Sequence, residues 1–189
     1  MKKFVLIFVV FLAFLFSLFY FELPLNLLRP VFHSDIIDQY AKQYDLDPLF
    51  VTALIKVESN FIRRARSDRG AVGLMQLLPS TARELADELG YRNFKIADLE
   101  DPKINIHLGT YYLSKLKKEF NGNETLVLAA YNAGKNKVQL WYRQDPLMGL
   151  EGGDIPYLET RNYVKEVMRT YQWLSRAHVL IDRLRGKKQ

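Results

Sequence analysis

The sequence predicts a mainly α-helical domain preceded by a membrane-anchor helix. Three observations predict it. From residue 35 onward apolar residues recur at three- and four-residue spacing, and no alternating run of convincing strand length interrupts them. Asp47-Pro48 and Asp101-Pro102 place a capping acid before a proline at a first helical turn. Ahead of all this, Met1-Lys2-Lys3 precedes a run from Phe4 to Phe21 that holds no charged residue.

The first element is the N-terminal run. As a helix, about 18 residues rise about 27 Å, close to the hydrocarbon thickness of a bilayer. Phe, Leu, Val and Ile fill every face, which argues against a core helix. The two lysines put the N-terminus on the cytoplasmic side and the rest of the chain outside. Ala13 and Ser17 are the only small residues, a poor cleavage site, so an uncleaved anchor over residues 1–21 is expected. The expected location is therefore the cell membrane, as a single-pass protein with its folded domain on the extracytoplasmic side. Residues 22–34, with Pro24 and Pro30 as breakers, read as a linker.

The folded domain is expected over residues 35–177. Ile36, Ile37 and Tyr40 share one side of a first helix. Asp47 caps the second. Residues 67–79 form a loop holding Gly70 and Gly73, with room for a short hairpin or irregular lobe over residues 66–77. Ser80 to Leu89 is a short helix stopped by Gly90. Asp101 caps a helix to about Phe120, striped by Leu108, Tyr112 and Leu116, and Asn123 caps another that ends at Gly134. Residues 149–156 are a second glycine-rich loop. A long helix follows from about Leu158 to Leu184, and residues 178–189 carry a basic tail.

Composition excludes several kinds of chemistry. With no cysteine there is no disulfide, thiolate metal site or cysteine nucleophile. His33, His107 and His178 are scattered without ligand spacing, so a histidine metal site is not expected. The net charge of +6 favours anionic partners. It comes with no zinc-finger or RNA-recognition signature, so nucleic acid is not expected as a partner.

One residue breaks the helical pattern. Val51, Leu54 and Ile55 lie on one face of the Asp47-capped helix, and Glu58 is the next position on that stripe. A carboxyl on a core-facing stripe is partly desolvated, which raises its pKa toward the range a general acid needs. An exposed helix end or a buried ion pair would place an acid there too.

Four segments then line up: Glu58-Ser59-Asn60-Phe61, Ser67 through Gly73-Leu74-Met75-Gln76, Ala129-Ala130-Tyr131-Asn132-Ala133-Gly134, and Glu159-Thr160-Arg161-Asn162-Tyr163-Val164. In this order, with Asp101-Pro102 and Asn105-Ile106 between them, they resemble the SLT family of lytic transglycosylases, relatives of goose-type lysozyme. The resemblance implies a lysozyme-like single domain. It implies cleavage of peptidoglycan strands at the MurNAc-β-1,4-GlcNAc bond, with a 1,6-anhydromuramic product and Glu58 as general acid, then base.

It also implies substrate contacts from Ser67, Met75, Gln76, Tyr131, Asn132, Glu159 and Tyr163, with no metal and no cofactor; the chain is expected to act as a monomer. Ser67 could equally cap a turn, Tyr131 could be a core aromatic, and Met75 a core residue. A muramidase delivering water would need a second acid, for which Asp68 and Glu159 are the candidates. A non-catalytic glycan-binding wall module is the remaining alternative, and the intact Glu58 argues against it.

Overall fold

In the computed structural model, residues 2–20, 33–147 and 155–186 are described; side chains are described for these except 2, 5, 6, 15, 17–20, 181 and 184–186. The chain divides into two compact units, residues 1–34 and 35–189. In the first, α1 (Lys2–Tyr20) is a 19-residue helix, and its described apolar side chains, Phe4, Ile7, Phe8 and Phe11 among them, are exposed. Among the described residues no helix is long and apolar enough to cross a membrane, so the expected span has no support from that test. The expected linker lies almost wholly outside the described residues.

The second unit is mainly helical. Its elements are α2 (Ser34–Gln43), α3 (Pro48–Ser59), α4 (Pro79–Glu88), a 3-10 turn (Ile96–Glu100), α5 (Pro102–Glu119), α6 (Glu124–Ala133), α7 (Lys135–Gln144) and α8 (Leu158–Gly186). The capping acids act as the sequence implies. Asp47 accepts from the Leu49 amide at 2.7 Å, Asp101 from Lys103 at 2.7 Å, and Asn123 from Leu126 at 3.1 Å. Each satisfies one of the orphan amides at a helix start, worth about 1 kcal/mol.

Helix α3 is the central element. Val51, Ala53, Leu54 and Ile55 are fully buried, and α3 packs along α8, which also covers α6. Each such aliphatic contributes roughly 1.5–3 kcal/mol by leaving water. Two tyrosines of α8, two turns apart, fasten α3 at both ends: Tyr171 donates to Asp47 at 2.6 Å and Tyr163 to Glu58 at 2.6 Å.

A second, smaller core joins Leu85 and Ala86 of α4, Leu99 of the 3-10 turn and Leu108 of α5 to Val72 and Leu77. Tyr112 and Tyr131 pack against both cores and mark the seam between them. The lobe over residues 66–77 is built from two isolated antiparallel bridges, Arg66 with Val72 and Val72 with Leu77.

Three features depart from the sequence reading. Helix α7 was not anticipated: its N-cap is Gly134, with φ 95° and no capping side chain, and its apolar residues are few. The 3-10 turn was also missed; it closes through Asp98, which accepts from the Lys95 amide at 2.8 Å. Helix α8 runs to Gly186, two residues past the expected end at Leu184, and so carries the first part of the expected basic tail. The glycine-rich loop lies mostly outside the described residues.

Candidate active site

Glu58 stands in the last turn of α3, on the stripe that buries Leu54 and Ile55. Helix α3 stops just beyond it. Asn60 takes a left-handed conformation, φ 49° and ψ 37°, and its amide closes on Lys56. Phe61 follows at φ 61° with its ring buried, an uncommon backbone for a bulky residue. Ser59 donates to the Leu74 carbonyl at 2.7 Å, which fixes the end of α3 to the adjoining loop. It also reaches the Ile55 carbonyl at 3.2 Å, so its hydroxyl serves architecture rather than nucleophilic attack.

The Glu58 carboxyl is mostly buried and its pKa is pushed up to about 7. Burial causes the rise; the Tyr163 hydroxyl, bonded at 2.6 Å, partly opposes it by stabilising the charged form. Oε2 makes no hydrogen bond among the described residues, yet no buried polar side-chain atom there lacks a partner. The free oxygen therefore reaches the surface. Glu58 in turn helps hold the Tyr131 and Tyr163 hydroxyls protonated, since ionising either beside a carboxylate is unfavourable.

The loop facing Glu58 is held from beneath by one side chain. Asn105 of α5 is fully buried. It accepts from the Met75 amide at 2.8 Å and donates to the carbonyls of Val72 and Leu99, each at 3.0 Å. Gly73, at φ 85°, passes so close that a Cβ there would lie 2.1 Å from the Asn105 amide and 2.4 Å from the Leu99 carbonyl oxygen. Only glycine fits that path.

The site residues expected from the sequence separate into groups. Glu58, Tyr131 and Tyr163 come together. Tyr131 points its hydroxyl at the Met75 carbonyl, 2.7 Å away, and stacks at a tilt on Tyr112 with ring centroids 5.5 Å apart. Met75 is a correction. It is fully buried, pressed where a Cβ on Gly109 would lie 2.4 Å from its sulfur, so its side chain cannot touch a substrate. Its backbone does the positioning instead.

Gln76 sits at φ 46°, and its amide nitrogen donates to the carbonyls of Ala65 at 3.1 Å and Gly73 at 2.8 Å, bracing the loop. Ser67 is exposed and accepts from the Ala71 amide at 3.0 Å, a turn-capping contact that leaves its proton available. Asn132 is half-buried at the end of α6. Glu159 is exposed and paired with Arg69 at 2.9 Å, which links the loop to the start of α8. Asp68 is exposed too. Neither acid is among the groups that shift Glu58.

Among the described residues, no cluster of three or more His, Asp or Glu could hold a metal ion. The residue that sequence reasoning underused is Asn105. It lies on the apolar stripe of α5 with Leu108 and Tyr112, and so carries the same signal as Glu58: a polar group where an apolar one belongs.

A central helix, wrapped by others and ending in one buried carboxyl at a seam between two cores, defines a lysozyme-like helical fold. This chain belongs to the transglycosylase SLT domain family, whose model matches residues 35–148. A putative soluble lytic murein transglycosylase of Haemophilus influenzae is 37% identical over 149 residues, 76% of this chain and 25% of its own length. An inactive mutant of the lytic transglycosylase Slt from Pseudomonas aeruginosa superposes with a TM-score of 0.65 at 37% identity, over 74% of this chain and 23% of that one. A 70-kDa soluble lytic transglycosylase in complex with bulgecin A gives 0.72 at 29% identity, over 79% and 25%. The chain thus spans about a quarter of the length of these relatives.

Proposed function

We propose that this chain is a peptidoglycan lytic transglycosylase that uses Glu58 alone as acid and then base. The observation that carries the reading is the Glu58 site itself. One carboxyl, with a pKa near 7, keeps one oxygen on Tyr163 and the other open at the surface. Most glycosidases place two carboxyls about the scissile bond; among the described residues no second acid is one of the groups that shift Glu58.

In this scheme protonated Glu58 donates its proton to the glycosidic oxygen as the bond to the muramic anomeric carbon breaks. The substrate's own acetamido oxygen stabilises the cationic carbon. The carboxylate then accepts the proton of the muramic 6-hydroxyl as that oxygen attacks, closing the 1,6-anhydro ring. A pKa near neutrality suits both halves. Tyr163 would steady the carboxyl throughout, and Tyr131, with its hydroxyl anchored on the Met75 carbonyl, would wall the reacting sugar. Ser67, Gln76, Asn132 and Glu159 remain proposed substrate contacts, with Gln76 limited to its carbonyl oxygen.

A glutamate-to-glutamine change accompanies inactivity in the Pseudomonas relative, which supports a required glutamate in this family. Mass spectrometry of peptidoglycan digested by the chain tests the reading. Ends bearing 1,6-anhydromuramic acid, absent with Glu58→Gln, are expected; reducing ends would make the chain a hydrolase instead.

The proposal extends to location. Exposed Phe, Ile, Val and Leu on a 19-residue helix behind Lys2-Lys3 favour attachment of α1 to a membrane, with the domain on the far side from the lysines. Release of the chain into the soluble fraction after gentle lysis would overturn that attachment.

A further inference from the structure

Helix α8 outlasts the core it covers. On one side Val164 and Val167 are buried, and Tyr171 and Leu174 pack against the main core. Among the described residues, no apolar side chain of α8 after Leu174 joins either core.

The other side of α8 faces solvent and carries a single pattern. Arg169, Arg176 and Arg183 recur every seven residues, about two helical turns, so they stand in a line. Trp173 and Leu180 follow the first two arginines by four residues each, which puts them on the same side. All five are exposed, and Trp173 and Leu180 each leave 58% of their surface in water. Lys165, also exposed, extends the line toward the start of the helix, and the line from Lys165 to Arg183 rises about 27 Å. None of these four cations has an ion-pair partner among the described residues. Glu166 is an exposed acid at the edge of the line; Asp182 lies off it and pairs with His178 at 3.3 Å.

The chemistry of this face narrows what can cover it. A tryptophan and a leucine left in water would gain by burial. The cations interleaved with them demand negative charge at the same depth. The headgroup region of a bilayer supplies both: an indole and an aliphatic chain enter it, while guanidinium groups reach the lipid phosphates. A second copy of this chain fits worse, because a two-fold contact would set the line of arginines against itself.

We propose that this face of α8 docks on a membrane surface rich in anionic lipid, a contact separate from α1. Such a contact lays α8 along the bilayer and decides which side of the domain meets the lipid. It draws on neither Glu58 nor the attachment of α1.

Lipid nanodiscs with the full-length chain test it, with tryptophan emission as the readout and brominated lipid as the quencher. Of the two tryptophans, Trp141 is buried and Trp173 is exposed. On phosphatidylglycerol discs the brominated lipid should quench Trp173, and Trp173→Phe should remove the quenched part of the emission. On phosphatidylcholine discs, or in high salt, that quenching should be lost. Each arginine should contribute about fivefold to the docking equilibrium. Arg169→Glu with Arg176→Glu should therefore abolish the quenching, while Arg169→Lys with Arg176→Lys should retain it. All the substituted side chains are exposed, so these changes leave the fold intact.

A chain bound to anionic discs with Trp173 unquenched overturns the proposal. Equal quenching on the two lipids, or quenching that survives charge reversal, overturns it too. So does a dimer in detergent that shields Trp173 from a soluble quencher, because the face would then hold a second copy. Binding to phosphatidylcholine discs reads α1 alone. A chain held there whose Trp173 stays unquenched on anionic discs would refute this contact and spare that of α1.

Discussion

Glu58 and His107 are both titratable side chains bonded by tyrosine hydroxyls, and they behave in opposite ways. At Glu58 one tyrosine bonds one oxygen, and the other oxygen reaches the surface. At His107 of α5 both ring nitrogens are engaged, by Tyr44 at 2.6 Å and Tyr91 at 2.6 Å, and Tyr40 stacks on the ring at 4.3 Å. Burial raises the pKa of the acid and lowers that of the base, in each case favouring the neutral form. The difference lies in what remains unbonded. The carboxyl keeps an oxygen open at the surface; the imidazole keeps no nitrogen unbonded. Desolvation next to an open acceptor makes a proton donor, whereas the same desolvation with every valence filled makes a structural joint.

The sharpest way to break this comparison is Glu58→Gln. Release of anhydro products should fall by about 10³-fold, the range for loss of a positioned general acid. The same change should stabilise the fold at high pH. Wild-type Glu58 binds its proton more tightly folded than unfolded, so that contribution is intact below pH 4.5 and is lost as pH rises toward 7. A shift from 4.5 to about 7 corresponds to about 3 kcal/mol. Urea titrations should therefore show the variant more stable than wild type at pH 8 and little different at pH 4. Equal stability at both would mean Glu58 is not desolvated.

Asn105→Leu should come next. It removes the acceptor of the Met75 amide and a donor from the carbonyls of Val72 and Leu99, of which Val72 keeps the Leu77 amide, so about 3 kcal/mol of stability should disappear, and activity with it. A variant with wild-type stability would refute the buttress. Tyr163→Phe is milder. It removes the contact that lowers the Glu58 pKa, so the alkaline limb of the pH–rate profile should move to higher pH with a rate loss of about tenfold. An unmoved limb would detach Tyr163 from Glu58.

His107→Phe should leave that pH profile where it is and cost about 1–2 kcal/mol at pH 7.5. Wild-type stability should fall as pH drops below 6.5, because the folded imidazole resists protonation that the unfolded one accepts; the variant should lose that dependence. Smallest of all is Arg69→Ala, which breaks an exposed pair and should change stability by less than about 0.5 kcal/mol. A fivefold loss of turnover there would show that Arg69 places Glu159 for substrate.

Local chemistry made much of this readable in advance. Asp47, Asp101 and Asn123 announce their helices because a capping side chain acts within three residues of itself. Glu58 stood out because a helix repeats its face every three or four residues. What was hidden depends on partners far along the chain. His107 meets Tyr44 and Tyr91, 63 and 16 residues away, and no periodicity encodes that meeting. Met75 shares a motif with Gln76, yet the motif could not say which of the two faces inward; the missing side chain of Gly109 decides it. Helix α7 has no capping side chain and starts straight from Gly134, where the preceding helix ends, so no local stop and start separated the two.

Asn105 also sets how this site can change. It grips only main-chain groups: one amide and two carbonyls. What it fixes is the route of the loop, not the identity of the residues along it, apart from the glycine that must lie against it. Side chains that the loop turns toward the cleft can therefore be exchanged while its path stays the same. Divergence among descendants of such a domain could reshape what the cleft accepts without first rebuilding the wall, and a designer seeking a new specificity could begin at the same positions.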